Sequence, residues 1–474
     1  MQALANPRLR LPILLLVAIA ARALTFGNPV VHVDEEFYFV VGDRLWQGAL
    51  PFVDIWDRKP IGLFLLYALP ARLGFPAGIW AYQLLALASA VATAWLVARL
   101  AERAGYAAGA TAGGIAYLLW LVLLGGQGGQ SPVFYNLLTI AAVSLILPQR
   151  TTRARGLGAM ALIGIALQIK YSVVFEGVAL GLWLVAVDWR TSRRPLASLC
   201  YGAALIVLAL SPTALAAAWY AWIGEWDAFA YANFLSVFHR NPDPLGELAQ
   251  NLGQMILIAS PIVSLAILAL RRARPDAGAA ERRFLALWLA VAIGSVLVFR
   301  PWFDHYALPI LLPACAAAAG MLGSAGWRRR YTPALLLTAA LAGQITLLVQ
   351  RMERGDGAQL AALAAAIGRG PGCLYVYSGN PMLYAATGRC TVSRYLVASH
   401  LIRARETGAT GVDQDAEIRR ILAARPAVVV MRPPYRGERP QAHALANAAM
   451  RDGYRLAATL PMGNEALRVY RRTP

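Results

Sequence analysis

A chain of 474 residues that is 58% hydrophobic and only 15% charged is too apolar for an ordinary soluble enzyme. Its formal net charge of +19 points toward nucleic acid only until the arginines are located. They cluster in short gaps between apolar runs: Arg8 and Arg10; Arg99 and Arg103; Arg150, Arg153 and Arg155; Arg190, Arg193 and Arg194; 271–283; and Arg328 to Arg330. That is the positive-inside pattern of a polytopic membrane protein, with the membrane as partner and no nucleic acid.

Taken in chain order, the first apolar run, 9–27, has no clear small-residue cleavage site and reads as a retained anchor. Further runs lie near 79–100, 107–125, 132–148, 156–169, 172–188, 197–221, 249–270, 284–299, 306–324 and 331–349, about eleven spans in all at roughly 20 residues per crossing. The expectation is a polytopic α-helical membrane region over 1–349, with its N-terminus inside and a first external loop over 28–78. Segment 60–76 is short and split by Pro70, so it is expected to lie at the interface; if it crossed, the topology after it would invert.

The tail, 350–474, mixes helical runs ("GAQLAALAAAIGRG", "DAEIRRILAARP", "QAHALANAAMRDGY") with β-rich runs ("CLYVYS", "AVVVMRP", "LRVYRR"). This predicts a small extracytoplasmic α/β domain. Cys373 and Cys390 bracket one strand–helix unit, where a disulfide and two free buried cysteines are both open readings. Cys200 and Cys315 fall in spans and read as inert, and no zinc-type spacing is present.

Chemistry concentrates in the first external loop. Asp34, Glu35 and Glu36 open a helical stripe with apolar residues at 37, 40, 41 and 45. Asp34 stands at the N-cap position, and acids there suit the helix dipole; an adjacent Asp-Glu pair can also take a proton or hold a metal. The second cluster places Asp54 and Asp57 beside Arg58 and Lys59, with Trp56 expected at interfacial depth. Arg58 and Lys59 can grip a lipid phosphate or merely neutralise those acids.

Elsewhere, Arg300, Asp304, His305 and Tyr306 sit at the mouth of the tenth span, as phosphate or substrate ligands or as interfacial anchors. Lys170 and Glu176 interrupt apolar sequence, which marks functional candidates in a membrane. Arg22 reads as snorkelling, and Gln127, Gln130 and Asn136 as a flexible loop or sugar contacts. The Gly-rich "GGQGGQSPVFYN" lacks a nucleotide-loop context. His239 and His400 are isolated and receive no role.

The stretch "VDEEFYFVVGDRLWQGALPFVDIWDRKP" resembles the first periplasmic loop of GT-C glycosyltransferases. More closely, it is similar to the family of protein O-mannosyltransferases, aminoarabinose-lipid A transferase and RgtA/B/C/D-like sugar transferases. That family opens the loop with an acid and closes it with steps matched here by "GALPFVD" and "DRKP"; "HYALPILLP" (305–313) and "LYVYSGNPMLYAATGRCTVSRY" match later segments. One departure is "KPI" where the family usually has KPP. The resemblance implies an enzyme of GT-C type that moves a sugar from a polyprenyl-phosphate donor to a lipid, glycan or protein acceptor at the outer face of a bacterial inner membrane, with inversion. It implies Asp34 as the catalytic base or the ligand of a candidate divalent metal; Glu35, from the adjacent acid pair, is the other catalytic candidate. It also implies Lys59 and Arg58 as ligands of the donor phosphate. Arg300 and Lys170 are further phosphate candidates; Asp54, Asp57, His305 and Tyr306 are substrate candidates. A transporter or flippase would instead show polar residues at mid-membrane, related between two halves. An assembly protein would not need the clustered acids, and an O-antigen polymerase or ligase would carry its large loop late.

Overall fold

The computed structural model describes residues 6–147, 151–273 and 278–474. Arg150 and Arg274, both in the expected arginine clusters, lie outside the described residues.

Each expected span is helical. The helices are α1 (Arg10–Arg22), then, after the first loop's α2 (Val33–Leu45) and α3 (Ile61–Ala71), α4 (Ala77–Arg103), α5 (Ala110–Leu123), α6 (Ser131–Leu145), α7 (Arg153–Leu167), α8 (Val174–Ser192), α9 (Pro195–Trp222), α10 (Trp226–Ala230), α11 (Leu245–Arg271), α12 (Ala279–Val298), α13 (Leu311–Leu322) and α14 (Ala325–Arg354). Among the described residues, six helical segments are both long and apolar enough to cross a bilayer: 77–103, 171–192, 195–222, 245–271, 304–322 and one beginning at Ala325. The other expected spans are shorter, or, over 279–298, carry Glu281, Arg282 and Arg283 in the first turn. At eleven residues, α3 rises only about 16 Å, too short to cross alone.

The chain divides into two compact units. The first comprises 1–24, 84–215 and 244–346. Its centre is α13, which packs against α5 and α11. Close approach depends on small residues: a Cβ on Gly109 would run into the Ala319 carbonyl, and Ala98, Ala101, Ala110 and Ala319 are fully buried together. Without a hydrophobic drive between helices in lipid, such small-residue contacts carry the packing. Outward faces are apolar, with Val207 at 69% and Leu257 at 73% exposure, as lipid-facing side chains require.

The second unit comprises 25–83, 216–243 and 347–474. Its sheet has the order β1-β2-β4-β3, with β1 (Leu374–Val376) parallel to β2 (Val428–Met431). The antiparallel pair β3 (Tyr454–Met462) and β4 (Glu465–Arg472) turns at Gly463, whose φ of +62° favours glycine. The strand β3 is exposed over most of its length and is absent from the β-rich runs expected of the tail. Helices α15 (Gly357–Ile367), α16 (Met382–Thr387), α17 (Ser399–Ile402), α18 (Gln414–Ala423) and α19 (Pro440–Gly453) complete the tail. Cys373 and Cys390 form a disulfide.

Trp56 corrects an expectation. It is not at interfacial depth but 2% exposed, packed with Tyr375, Tyr395, Ile418 and Val429 in the core of the tail sheet. Its backbone N–H donates to the Arg394 carbonyl at 2.9 Å. The first loop and the tail thus share one core.

Candidate functional site

The acid triplet of the first loop is split by helix geometry, since successive residues turn by about 100°. The N-cap of α2 is His32, not Asp34: its Nδ1 accepts the Asp34 N–H at 3.1 Å. The Asp34 side chain stays 30% exposed, 3.9 Å from His32. Glu35 turns inward, 1% exposed, with Tyr82 and Tyr67 within its field. Glu36 is also buried; it accepts from Asn380 Nδ2 at 3.1 Å and from the Met382 N–H at 3.4 Å. Burial pushes its carboxyl up to about 7, against the opposing pull of those hydrogen bonds and Arg354. Of the Asp34–Glu35 pair, only Asp34 presents a reachable carboxylate.

The second cluster is built on Asp57. Its Oδ1 accepts the backbone N–H of Arg58 and, at 2.9 Å, that of Lys59, an aspartate turn that fixes both cations. Lys59 Nζ lies 3.9 Å from Asp57 Oδ1 and 5.6 Å from the Tyr38 ring centre. His400 brings Nε2 to 3.9 Å from Asp57 Oδ2 and packs edge-on to Trp56 at 4.7 Å. Burial holds this imidazole down at about 4, so it is neutral at pH 7 and the contact is not an ion pair.

Arg58 is engaged differently from Lys59. Its guanidinium stacks on Trp56 at 4.7 Å, bonds Glu406 at 2.7 Å and donates to Ser236 at 3.0 Å and the Ala409 carbonyl at 3.1 Å. Arg240 meets the same Glu406 at 3.0 Å. Burial would raise Glu406, but Arg58 and Arg240 outweigh it and hold the carboxyl below its ordinary range. Arg58 therefore braces the loop. Asp54 is exposed and closes a turn, accepting the Leu50 N–H at 2.7 Å, with no contact to the Asp57 cluster among the bonds described.

In the first unit, three sequence candidates do meet. Lys170 Nζ stands 4.3 Å from the Tyr306 ring centre, and the Tyr306 and His305 rings are edge-on at 4.8 Å. His305 Nδ1 lies 3.3 Å from Asp304 Oδ1. Arg300 is exposed and rests over Trp302 at 5.3 Å. Arg22 does not snorkel: it is 2% exposed and donates to the carbonyls of Gly126 and Gly128 at 2.7 and 3.1 Å. Those contacts tie down the Gly-rich segment, in which Gln127, Gln130 and Asn136 are buried; Asn136 Nδ2 donates to the Leu308 carbonyl at 3.1 Å. Glu176 is buried in α8.

Sequence reasoning missed His400, Glu406, Arg240 and Ser236. Each lies far from the first loop in the chain, and the buried carboxylate at 406 carries no local motif. Among the described residues no three His, Cys, Asp or Glu side chains converge to hold a metal, Asp34 included.

These features define a multi-pass helical membrane protein with a small mixed α/β unit, and its fold is similar to that of a solved protein named ArnT. The structure of ArnT from Cupriavidus metallidurans bound to undecaprenyl phosphate shares 15% identity and a TM-score of 0.64, over 97% of each chain. The same protein in its apo state gives 14% identity and a TM-score of 0.64, over 96% of this chain and 97% of that one. At this identity what is shared is the fold, and it is the fold that the first-loop and "HYALPILLP" motifs lead one to expect. No protein-family model and no curated protein sequence matches the chain.

Proposed function

We propose that the chain is an inverting glycosyltransferase of the bacterial inner membrane, taking its sugar from a polyprenyl-phosphate donor. The acceptor is a lipid, a protein or a cell-envelope glycan such as lipopolysaccharide, and the first loop and tail face the periplasm. The observation that carries this reading is a membrane fold shared over nearly the full chain with a protein bound to undecaprenyl phosphate. The loop chemistry supports it.

In the displacement, an acceptor hydroxyl or amine attacks the anomeric carbon as the bond to the phosphate oxygen breaks. The bonding pair leaves with the phosphate. Asp34 takes the acceptor's proton; it is the accessible acid at the start of α2. Lys59, fixed by the Asp57 turn, meets the charge that grows on the leaving phosphate. Glu35, buried beside Asp34 at the start of α2, and Arg58, held by Glu406, are positioning residues. Lys170, His305 and Tyr306 form a second polar cluster for donor phosphate or sugar, with Lys170 held over Tyr306.

The test is transfer by purified protein in detergent, using radiolabelled polyprenyl-phosphate sugars and extracted envelope glycolipids. Wild type transfers label from one donor, while Asp34→Asn and Lys59→Ala, folded by thermal melt, lose it by at least a hundredfold. Full activity in Asp34→Asn would remove the assigned base. No transfer from any donor, with facilitated movement of labelled lipid across vesicles, would replace this reading with a flippase.

A further inference from the structure

A cleft of about 490 Å³ in the first unit is lined by none of the candidate-site residues. Its charged walls are Arg99 and Arg103, one turn apart at the end of α4, with Arg155 in the first turn of α7 and Glu281 in the first turn of α12. The Lys170–His305–Tyr306 cluster follows the other ends of those same helices: Lys170 lies just beyond α7, and Asp304 shortly after α12. At 1.5 Å per residue the fifteen residues of α7 separate the two sites by about 22 Å. The cleft is therefore a second site on the opposite side of the unit.

Its position is that of a bilayer headgroup region. Trp95, one turn before Arg99, is partly exposed and carries the Arg99 guanidinium over its ring at 5.2 Å, the mark of an interfacial aromatic. Leu145 and Leu147 supply an apolar edge. Arg103 is aimed by a hydrogen bond to the Ser144 carbonyl at 3.3 Å. Arg99 also reaches Glu102 at 3.8 Å, but that carboxylate is shared with Arg10.

Among the described residues the cleft sets three arginines against one carboxylate, a balance that suits an anion, yet Glu281 is not a rim residue. It is 4% exposed, and its Oε2 is buried with no hydrogen-bond partner. A buried bare carboxylate oxygen is destabilising unless a donor reaches it. A plain phosphate makes that worse. A phosphate ester carrying an ammonium group satisfies both halves, with the phosphate on the arginines and the ammonium on Glu281. The geometry points to a binding site for a phosphoethanolamine-type group, as a lipid headgroup or as the free ester.

Native mass spectrometry of the full-length protein after detergent washing tests this, with phosphatidylethanolamine, phosphatidylcholine and phosphatidylglycerol of equal chain length. Phosphatidylethanolamine is expected to be retained at least tenfold over phosphatidylcholine, whose quaternary nitrogen donates no hydrogen bond. The Arg99→Gln/Arg155→Gln double variant should lose retention of all three by about tenfold. Glu281→Gln should bring ethanolamine and choline lipids within twofold; the wild-type ranking stands as the test if that variant fails to fold. Displacement of lipid by free phosphoethanolamine, but not by inorganic phosphate, supports the site and identifies a soluble source. Failure of the free ester to compete, with the lipid preference intact, supports the headgroup. Equal retention of the three lipids, retention indifferent to the arginine substitutions, or displacement by inorganic phosphate as effective as by the ester would overturn the proposal.

Discussion

The Arg58 guanidinium meets the Glu406 carboxylate at 2.7 Å, joining the first loop to the tail within one unit. Both side chains are largely buried, at 16% and 5% exposure, and Arg240 shares the carboxylate at 3.0 Å. Breaking a buried pair from one side strands the other charge, at a cost of roughly 3–5 kcal/mol. Glu406→Ala strands two arginines and should sit at the upper end, whereas Arg58→Gln leaves Arg240 in place and should sit at the lower end. Thermal melts of the purified variants in one detergent check the order. Equal melting temperatures for Glu406→Ala and wild type would show that the pair braces nothing.

Glu36 and His400 give stability opposite dependences on pH over the same window. Glu36 rises from 4.5 to about 7 in the fold, so its charged form is disfavoured there. Its penalty is absent below pH 4.5, grows between 4.5 and 7, and is full above 7, about 3 kcal/mol at 1.36 per unit. His400 falls from 6.5 to about 4, so the fold resists its protonation. That costs nothing above pH 6.5 and grows to about 3 kcal/mol as pH falls to 4. In wild type the two largely cancel. Glu36→Gln should expose the His400 slope, becoming progressively less stable relative to wild type as pH falls from 7 to 4.5. His400→Gln should do the reverse. Melting temperatures from pH 4 to 8 decide it, and parallel curves for all three proteins would refute both assignments.

Much of this was legible because hydrophobicity and short-range patterning carry it. The apolar runs become helices, and the tail's "CLYVYS", "AVVVMRP" and "LRVYRR" become strands. The first loop's α2 forms where its apolar stripe places it. What stayed hidden depends on tertiary contact. Nothing near residue 56 announces that Trp56 enters a core completed by Ile418 and Val429, so its aromatic character read as a membrane anchor. Arg22 gave the same false signal, because a buried arginine bound to carbonyls and a snorkelling one share one sequence context. His400 had no partner within its own segment; Asp57 reaches it only through the fold.

Gly125 should be intolerant of a side chain. It has φ +78°, and a Cβ there would lie 3.0–3.1 Å from the Asp304 carboxylate atoms. Left-handed strain costs an L-residue roughly 1 kcal/mol or more, and the carboxylate beside His305 must also shift. Gly125→Ala should lower transfer at least tenfold while costing no more than a few degrees of melting temperature. Restored activity in Gly125→Ala/Asp304→Ala would mark crowding rather than loss of Asp304 as the cause. Unchanged transfer in Gly125→Ala would separate the His305 cluster from the reaction.

The Cys373–Cys390 bridge closes a loop with a sequence separation of 17 between β1 and the segment beyond α16. It ties down the edge strand: the Leu374 N–H donates to the Cys390 carbonyl at 2.9 Å. Constraining the unfolded chain over such a loop stabilises by about 3 kcal/mol in the chain-entropy view. Cys373→Ser/Cys390→Ser should therefore melt several degrees lower than wild type. Dithiothreitol should lower the wild-type melt to the same value and leave the double variant unmoved, since Cys200 and Cys315 are free thiols. A melt insensitive to reductant, with thiol labelling confirming four free cysteines, would show that the bridge adds no stability.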